Sequence, residues 1–390
     1  MKNIYLIFSF FFTILSFGQV NAGYALIDKK MSNISTSSNN STEAIANYIK
    51  ANFKTDSDKI RAVFYWTASN ISYDVANMLT VNFNETPQEQ IAKTLKTKKG
   101  VCIHYAQIFN DISNKIGIQS YIIQGYTKQY GKVANLAHAW CAAKIDDKWY
   151  LFDPTWGSGY VNSGIFFKKF NENYFKAKPT ILVSSHIPFD YLWQFLNYPI
   201  TNSEFYEGAT QINKSKKYFD FESEIIKYNG LSEIDKLFDS AGRIEKNGVK
   251  NALISQRLEG KKREISYLQR KSNIEKLNSI VNNYNEAVDL LNDFVYYRNN
   301  KFKPILTDDE INNMIQLPIE KLAKCQDALY AIGSVGTENS SNLTSLKKSV
   351  NDVLAQAKEH ELFVQEYLSK SKIARKTMFT KVFWSGVPLN

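Results

Sequence analysis

Three residues in the first half of the chain have side chains that could perform nucleophilic chemistry together. Cys102 follows Lys98-Lys99-Gly100-Val101 and heads the segment CIHYAQIFNDISNK, whose Tyr105, Ile108, Phe109, Ile112 and Ile116 recur at helical spacing. A cysteine at a helix start lies among unpaired backbone N–H groups and at the positive end of the helix dipole, which favours a thiolate. The same N–H groups are candidates to hold an oxyanion. Such a nucleophile needs a base that takes and returns its proton, and a third group that orients the base. His138 and Asp153 supply those two types. Each has a plainer reading taken singly. Cys102 could be a small buried residue at a helix cap, and His138 with Asp153 a structural hydrogen bond.

The elements that must position these groups can be read from periodicity. LAHAWCAAKI and KWYLFDPTW alternate like strands and are parted by Asp146-Asp147. A hairpin centred on that turn places His138 opposite Thr155 and Trp140 opposite Asp153. His138 and Asp153 are then diagonal neighbours on one face, within reach of long side chains, and Cys141 points to the other face. Trp140 and Trp156 flank the pair and are expected to shield it from water, and with Trp66 and His104 they are candidates to line the substrate cleft. Trp66 and Tyr73 are expected either in the cleft, where they could assist the oxyanion, or in the core. His104 lies about 200° around the helix from the thiol, so it reads as a groove residue and not as the base. His186 and His360 read as packing residues. With four histidines and no paired-cysteine spacing, no metal site is expected, and no phosphate loop or dinucleotide fingerprint implies a cofactor.

The wider chain divides by composition. MKNIYLIFSFFFTILSFGQVNA has a charged start, an apolar run and small residues, the pattern of a secretory signal over 1–22, cleaved near Gly18 or Ala22. Residues 23–42, rich in Ser and Asn toward their end, read as a linker. From 43 to 206 helical periods precede strand periods, giving an α+β domain with an antiparallel sheet. Thr86-Pro87-Gln88-Glu89 is a capping box with Pro at the first helical position. From 215 to 390 strand patterns vanish. Ile274, Leu277, Val281, Tyr284, Val288, Leu291 and Val295 step by three and four, and Leu343, Leu346, Val350, Val353 and Ala357 do likewise. This is expected to be an all-α domain of long antiparallel, coiled-coil-like helices, with a helix starting at Asp308 and a further one at Pro318. The three cysteines form no disulfide framework, and an odd count leaves a free thiol in an exported chain.

Gly100-Val101-Cys102-Ile103-His104-Tyr105-Ala106 resembles the cysteine motif of the transglutaminase-like superfamily, His138-Ala139-Trp140 its histidine motif, and Asp153-Pro154-Thr155-Trp156 its aspartate motif. The segments around Lys59–Trp66 and Asn70–Asp74 resemble its lead-in helix. His186-Ile187-Pro188 and Trp193-Gln194 resemble the branch that includes the kyphoscoliosis peptidase. The resemblance spans roughly 43–206. It implies a papain-like core and acyl transfer through a thioester, with Cys102 as nucleophile, His138 as proton shuttle and Asp153 as its support. Bacterial relatives suggest hydrolysis more than cross-linking, and no acidic loop here would bind calcium.

The first functional reading is therefore an exported, periplasmic or secreted, cysteine peptidase, amidase or transglutaminase-like acyltransferase acting on proteins or peptides. The alternative is a weakly active or inactive scaffold using its C-terminal helices for self-association or partner contact. The net charge of +10, spread without a dense basic block, suits a cell-envelope polymer as a further partner and gives no sign of nucleic-acid binding. No stretch of the mature chain is apolar enough to span a bilayer.

Overall fold

A computed structural model describes residues 22–80 and 84–379. The expected secretory signal lies outside the described residues, apart from Ala22 at its end. The chain divides between Lys261 and Lys262 into two compact units.

The first unit opens with helices α1 (Ala22–Ser32), α2 (Thr42–Asn52) and α3 (Asp56–Asn70), followed by strand β1 (Ser72–Tyr73), helix α4 (Pro87–Thr97), strand β2 (Lys99–Gly100) and helix α5 (Cys102–Lys115). The starts are written locally. Ser41 and Thr55 accept N–H bonds at the heads of α2 and α3, and Thr86 with Glu89 closes a reciprocal capping box on α4. Lys98 then adopts a left-handed turn (φ 54°) that ends α4. β1 pairs in parallel with β2, setting Tyr73 opposite Gly100.

Strands β3 (Ser120–Gln129), β4 (Lys132–Ile145) and β5 (Lys148–Phe152) follow, then helix α6 (Pro154–Ser158), the hairpin strands β6 (Gly159–Asn162) and β7 (Ile165–Lys168), helix α7 (Pro179–Leu182), strand β8 (His186–Pro188) and helix α8 (Asn202–Glu207). The main sheet runs β5-β4-β3-β8, antiparallel throughout. Asp146 and Asp147 both take positive φ (49° and 60°), as a two-residue hairpin turn requires. The register is the one read from the sequence, from Ile145↔Lys148 to Cys141↔Phe152. It stops there. Trp140 is not paired with Asp153, because Asp153 leaves the sheet to cap α6.

One sheet face presents Ala139, Cys141 and Ala143 to a core that includes Phe64, Phe109, Ile112 and Phe152. These small residues let α5 approach closely, and the Cys141 thiol meets the Ala106 carbonyl at 3.4 Å. The other face packs Trp140 and Ala142 against Leu182, Leu192 and Phe195. Gly125, between His138 and Pro188 in register, has no room for a side chain: a Cβ there would lie 2.1 Å from the Ile187 carbonyl and 2.6 Å from the Trp140 ring.

Two departures from the composition reading concern segment ends. Residues 23–42 are not loose along their length, because α1 buries Ile27 and Met31 against the core. Asp28 of α1 also grips the fully buried Arg61. At the other end, helices α9 (Phe221–Gly230) and α10 (Glu233–Lys246) follow the change in composition near 215, yet pack within the first unit. Phe221 and Ile225 join the Trp140-side core, and Arg243 makes two bonds to Asp190 at 2.7 and 2.9 Å.

Helix α11 (Ala252–Asn299) runs across the division, and the second unit continues with α12 (Asp308–Ala331), α13 (Thr337–Ser369) and α14 (Lys372–Thr377). The buried stripe of α11 is Leu277, Ile280, Ala287, Leu291 and Phe294, so the expected seam is displaced at Val281, Val288 and Val295 by one position. Both sets repeat by seven, and the larger Ile280 and Phe294 take the interior. Pro318 does not start a helix. It lies inside α12, on the stripe Ile311, Ile315, Pro318, Leu322 and Cys325, whose continuous burial offsets the missing backbone bond.

Candidate active site

Cys102 is the first residue of α5 and is partly exposed. Val101 has no polar side chain for the cap, and His104 replaces it: the Val101 N–H donates to His104 Nδ1 at 3.0 Å. Burial lowers the His104 pKa, which keeps Nδ1 free to accept. This is why position 100 is glycine, since a Cβ there would lie 2.8 Å from His104 Cβ. His104 is thus engaged at the helix head and is not among the residues lining the cleft.

Asp153 is fully buried at the head of α6 and accepts four hydrogen bonds. Its Oδ1 takes the N–H groups of Thr155 and Trp156 at 2.9 and 3.0 Å. Its Oδ2 takes His138 Nε2 at 2.7 Å and His186 Nε2 at 3.1 Å. Burial opposes a charge on Asp153, but the His138 charge and bond and the His186 bond outweigh it and hold the carboxyl well below its usual range. An ionised carboxylate only accepts, so both Nε2 atoms carry protons. His138 then has Nδ1 free of Asp153, and Cys102 is among the groups that act on the ring. Burial opposes protonation of His138 too. The Asp153 charge and bond, with a smaller contribution from Cys102, overcome it and raise the ring to about 10. At neutral pH the ring is an imidazolium beside the Asp153 carboxylate.

His186, read from the sequence as packing, is the second histidine of this group. It is buried, and its Nδ1 lies 2.8 Å from Ser185 Oγ. Burial lowers its pKa, as does the charge on His138, against the pull of Asp153. His186 is therefore neutral, donating from Nε2 to Asp153 and accepting at Nδ1 from Ser185. No local pattern could have placed it there, because its position depends on β8 pairing with β3, where Thr127 faces His186. His138, Asp153 and His186 also offer atoms within 4.8 Å of one another that could hold a metal, though here Asp153 Oδ2 is shared between the two rings.

The His138 ring faces Trp140 (centroids 6.1 Å, 22° between planes) and Trp156 (5.6 Å). Trp140 is buried behind it in the core with Leu182 and Leu192 and does not line the cleft expected of it. Trp156 lines a cleft of about 810 Å³ with His138, Tyr73, Thr155, Tyr160 and Tyr174. Trp66 is fully buried in α3 beneath the Lys98 ammonium, 4.9 Å from its ring, so it belongs to the core and not to the cleft. One cleft wall is anchored by Arg61, whose guanidinium binds Glu172 at 2.6 and 2.7 Å and packs between Tyr24, Phe170 and Phe175. His360 lies far along α13 and pairs with Arg298 at 2.7 Å.

Residues 43–154 match the family described as the transglutaminase-like superfamily. Over 159 residues the chain is 31% identical to the kyphoscoliosis peptidase of Homo sapiens, covering 39% of this chain and 24% of that protein. Over 158 residues it is 30% identical to the kyphoscoliosis peptidase of Mus musculus, covering 38% and 23%. The chain thus spans about a quarter of the length of the curated relatives it matches. Among solved structures, the periplasmic domain of TgpA from Pseudomonas aeruginosa bound to ethylmercury is similar at 19% identity and a TM-score of 0.25, over 34% of this chain and 49% of that one. The family match contains Cys102, His138 and Asp153 and stops short of His186.

Proposed function

Because residues 43–154 match the transglutaminase-like superfamily, we propose that the protein is an exported cysteine-dependent acyl-transfer enzyme acting on amide bonds of proteins or peptides. The observation that supports this reading is His138, bonded at Nε2 to the buried Asp153 and raised in pKa by Asp153 and by Cys102, the residue that heads a 14-residue helix. In the reaction, Cys102 Sγ adds to the substrate carbonyl. The C–N bond then breaks, and His138 gives its proton to the leaving amine, leaving a thioester. Water or a second amine, deprotonated by His138, attacks the thioester and frees Cys102. Asp153 holds the ring in the tautomer this cycle needs. Export rests on the pattern of the first 22 residues. Among the described residues no helix is long and apolar enough to cross a membrane.

The test is to compare wild type with Cys102→Ala, using a quenched peptide library for hydrolysis and a fluorescent primary amine for transfer, alongside labelling by a thiol-reactive amide analogue. Loss of turnover and labelling in the variant supports the reading. Labelling or turnover that survives it removes Cys102 as the nucleophile.

A scaffolding reading is favoured by one observation: the long helices of the second unit leave Tyr267, Tyr296, Leu317, Tyr330 and Leu362 exposed. A full-length chain that sediments as a monomer across concentration would count against its self-association form.

A further inference from the structure

The carboxylate oxygen that supports His138 serves a second imidazole as well. Asp153 Oδ2 accepts from His138 Nε2 at 2.7 Å and from His186 Nε2 at 3.1 Å, and one ligand atom from each of the three residues lies within 4.8 Å of the others. Two imidazole nitrogens and one carboxylate oxygen are a donor set for zinc and its transition-metal neighbours, and too few and too soft for calcium or magnesium. The distances are near what such an ion needs. Bonds of roughly 2.0–2.1 Å in a tetrahedron put ligand atoms about 3.3–3.4 Å apart, so the two Oδ2–Nε2 edges need open by less than about 1 Å. The supporting groups are in place too. Asp153 Oδ1 is fixed by the Thr155 and Trp156 N–H groups at 2.9 and 3.0 Å, and His186 Nδ1 lies 2.8 Å from Ser185 Oγ. Partners of this kind orient metal ligands and strengthen binding. Asp153 and His186 are buried, and the His186 ring packs against Trp156 and Trp140 (centroids 4.5 and 5.2 Å), which limits competing water. His138 lines the cleft and gives an ion its way in. No spacing in the sequence announces this set, because its members come from β4, the head of α6 and β8.

We propose that His138, Asp153 and His186 form a binding site for a divalent transition metal, zinc above all, and that the bound ion switches the enzyme off. The inhibition rests on the acyl-transfer reading; the binding does not. The ion bonds to both Nε2 atoms and to Oδ2, and its fourth position takes a water from the cleft. The His138 imidazolium releases its Nε2 proton to solvent and keeps the one on Nδ1. His186 moves its proton from Nε2 to Nδ1 and donates it to Ser185 Oγ, whose hydroxyl turns to the Leu182 carbonyl at 3.3 Å. One proton leaves for each ion bound. With Nε2 on the metal and Nδ1 protonated, His138 can take no proton from the Cys102 thiol. An ion held by Cys102 and His138 would block the thiol equally well, but it would not need His186.

That difference is the test. Cobalt(II) and zinc(II) are added to the metal-free full-length chain. Cobalt should give the visible bands of a four-coordinate site without a near-ultraviolet sulfur-to-cobalt band, and Cys102→Ala should give the same spectrum. Zinc should slow iodoacetamide alkylation of Cys102. The zinc concentration that halves the rate, each protein measured against its own zinc-free rate, should rise at least on the order of 10²-fold in His186→Phe, because a lost ligand costs more than a lost supporting partner. A sulfur band, loss of cobalt binding in Cys102→Ala, or a rise of less than about tenfold in His186→Phe overturns the inference. If His186→Phe does not fold, Ser185→Ala decides: zinc binding weakened about tenfold supports the site, and unchanged binding overturns it. A wild-type chain that binds cobalt as expected yet turns over no peptide keeps the metal site and removes the acyl-transfer reading, and the inhibition with it.

Discussion

Asp153→Asn removes a charge and turns an acceptor into a donor at the centre of the site. Asn is as good a helix cap as Asp, so its amide oxygen should keep the Thr155 and Trp156 N–H groups now bound at 2.9 and 3.0 Å. Its NH2 then replaces Oδ2 and faces two Nε2–H groups, at 2.7 Å on His138 and 3.1 Å on His186. Both rings must change tautomer. His186 can do so, because a proton on Nδ1 can be donated to Ser185 Oγ, and Ser185 can turn its own proton to the Leu182 carbonyl at 3.3 Å. His138 cannot do so and still act. Its proton would sit on Nδ1, the nitrogen left for Cys102, which could then take no proton from the thiol. The stake can be sized from the ring's rise from 6.5 to about 10. At about 1.4 kcal/mol per unit this is a ceiling of roughly 5 kcal/mol on the imidazolium. Cys102 keeps its own share of that rise, which leaves about 3–4 kcal/mol, or 10²–10³-fold. The assay is the iodoacetamide alkylation rate of Cys102 at pH 6, wild type against variant. A variant that alkylates within about threefold of wild type, with an unchanged thermal midpoint, would refute the role given to Asp153.

Arg61→Ala should lower stability by about 3–5 kcal/mol, since it strands the Asp28 and Glu172 carboxylates and opens a hole between Tyr24, Phe170 and Phe175. Thermal unfolding would read this, and Arg61→Lys should restore little because both pairs are bidentate. His186→Phe keeps the ring volume and deletes one of two donors to Oδ2. It should cost about 1.5–3 kcal/mol of stability, yet slow alkylation less than tenfold, because His138 and the two N–H groups still hold the carboxylate; a loss as large as that of Asp153→Asn would give His186 a more direct part. The pH dependence has a definite sign. The raised His138 pKa stabilises fully below 6.5, and that contribution is lost as pH climbs through about 10. The lowered Asp153 pKa stabilises above its ordinary value, about 3.9, and is lost as pH falls. The gap in melting midpoint between wild type and Asp153→Asn should therefore be widest from about pH 4 to 6.5 and narrow toward pH 10. A gap that is flat across that range would contradict the assignment.

What the sequence by itself determined is local. Thr86 and Glu89 mark the start of α4, the Asp146-Asp147 turn sets the β4–β5 register, and Cys102 falls at the first residue of α5. Each follows from short-range backbone preferences, which a few neighbouring residues express in full. From that register His138 and Asp153 could be set on one face, and the contact forms although the pairing ends at Phe152. Tertiary structure decided the rest. His104 became a cap because Val101 lacks a polar side chain, and Trp66 went to the core because α3 is enclosed on that side. The α11 stripe turned by one position where Ile280 and Phe294 filled space better than their neighbours. His186 is the clearest case. It reaches Asp153 from 33 residues away, through a strand of three residues that gains its place only by pairing with β3. A single sequence carries no periodic signal for such a contact. Whether a buried histidine donates to a carboxylate or merely packs is set by which backbone closes over it, and here that backbone is the edge of a sheet assembled from distant segments.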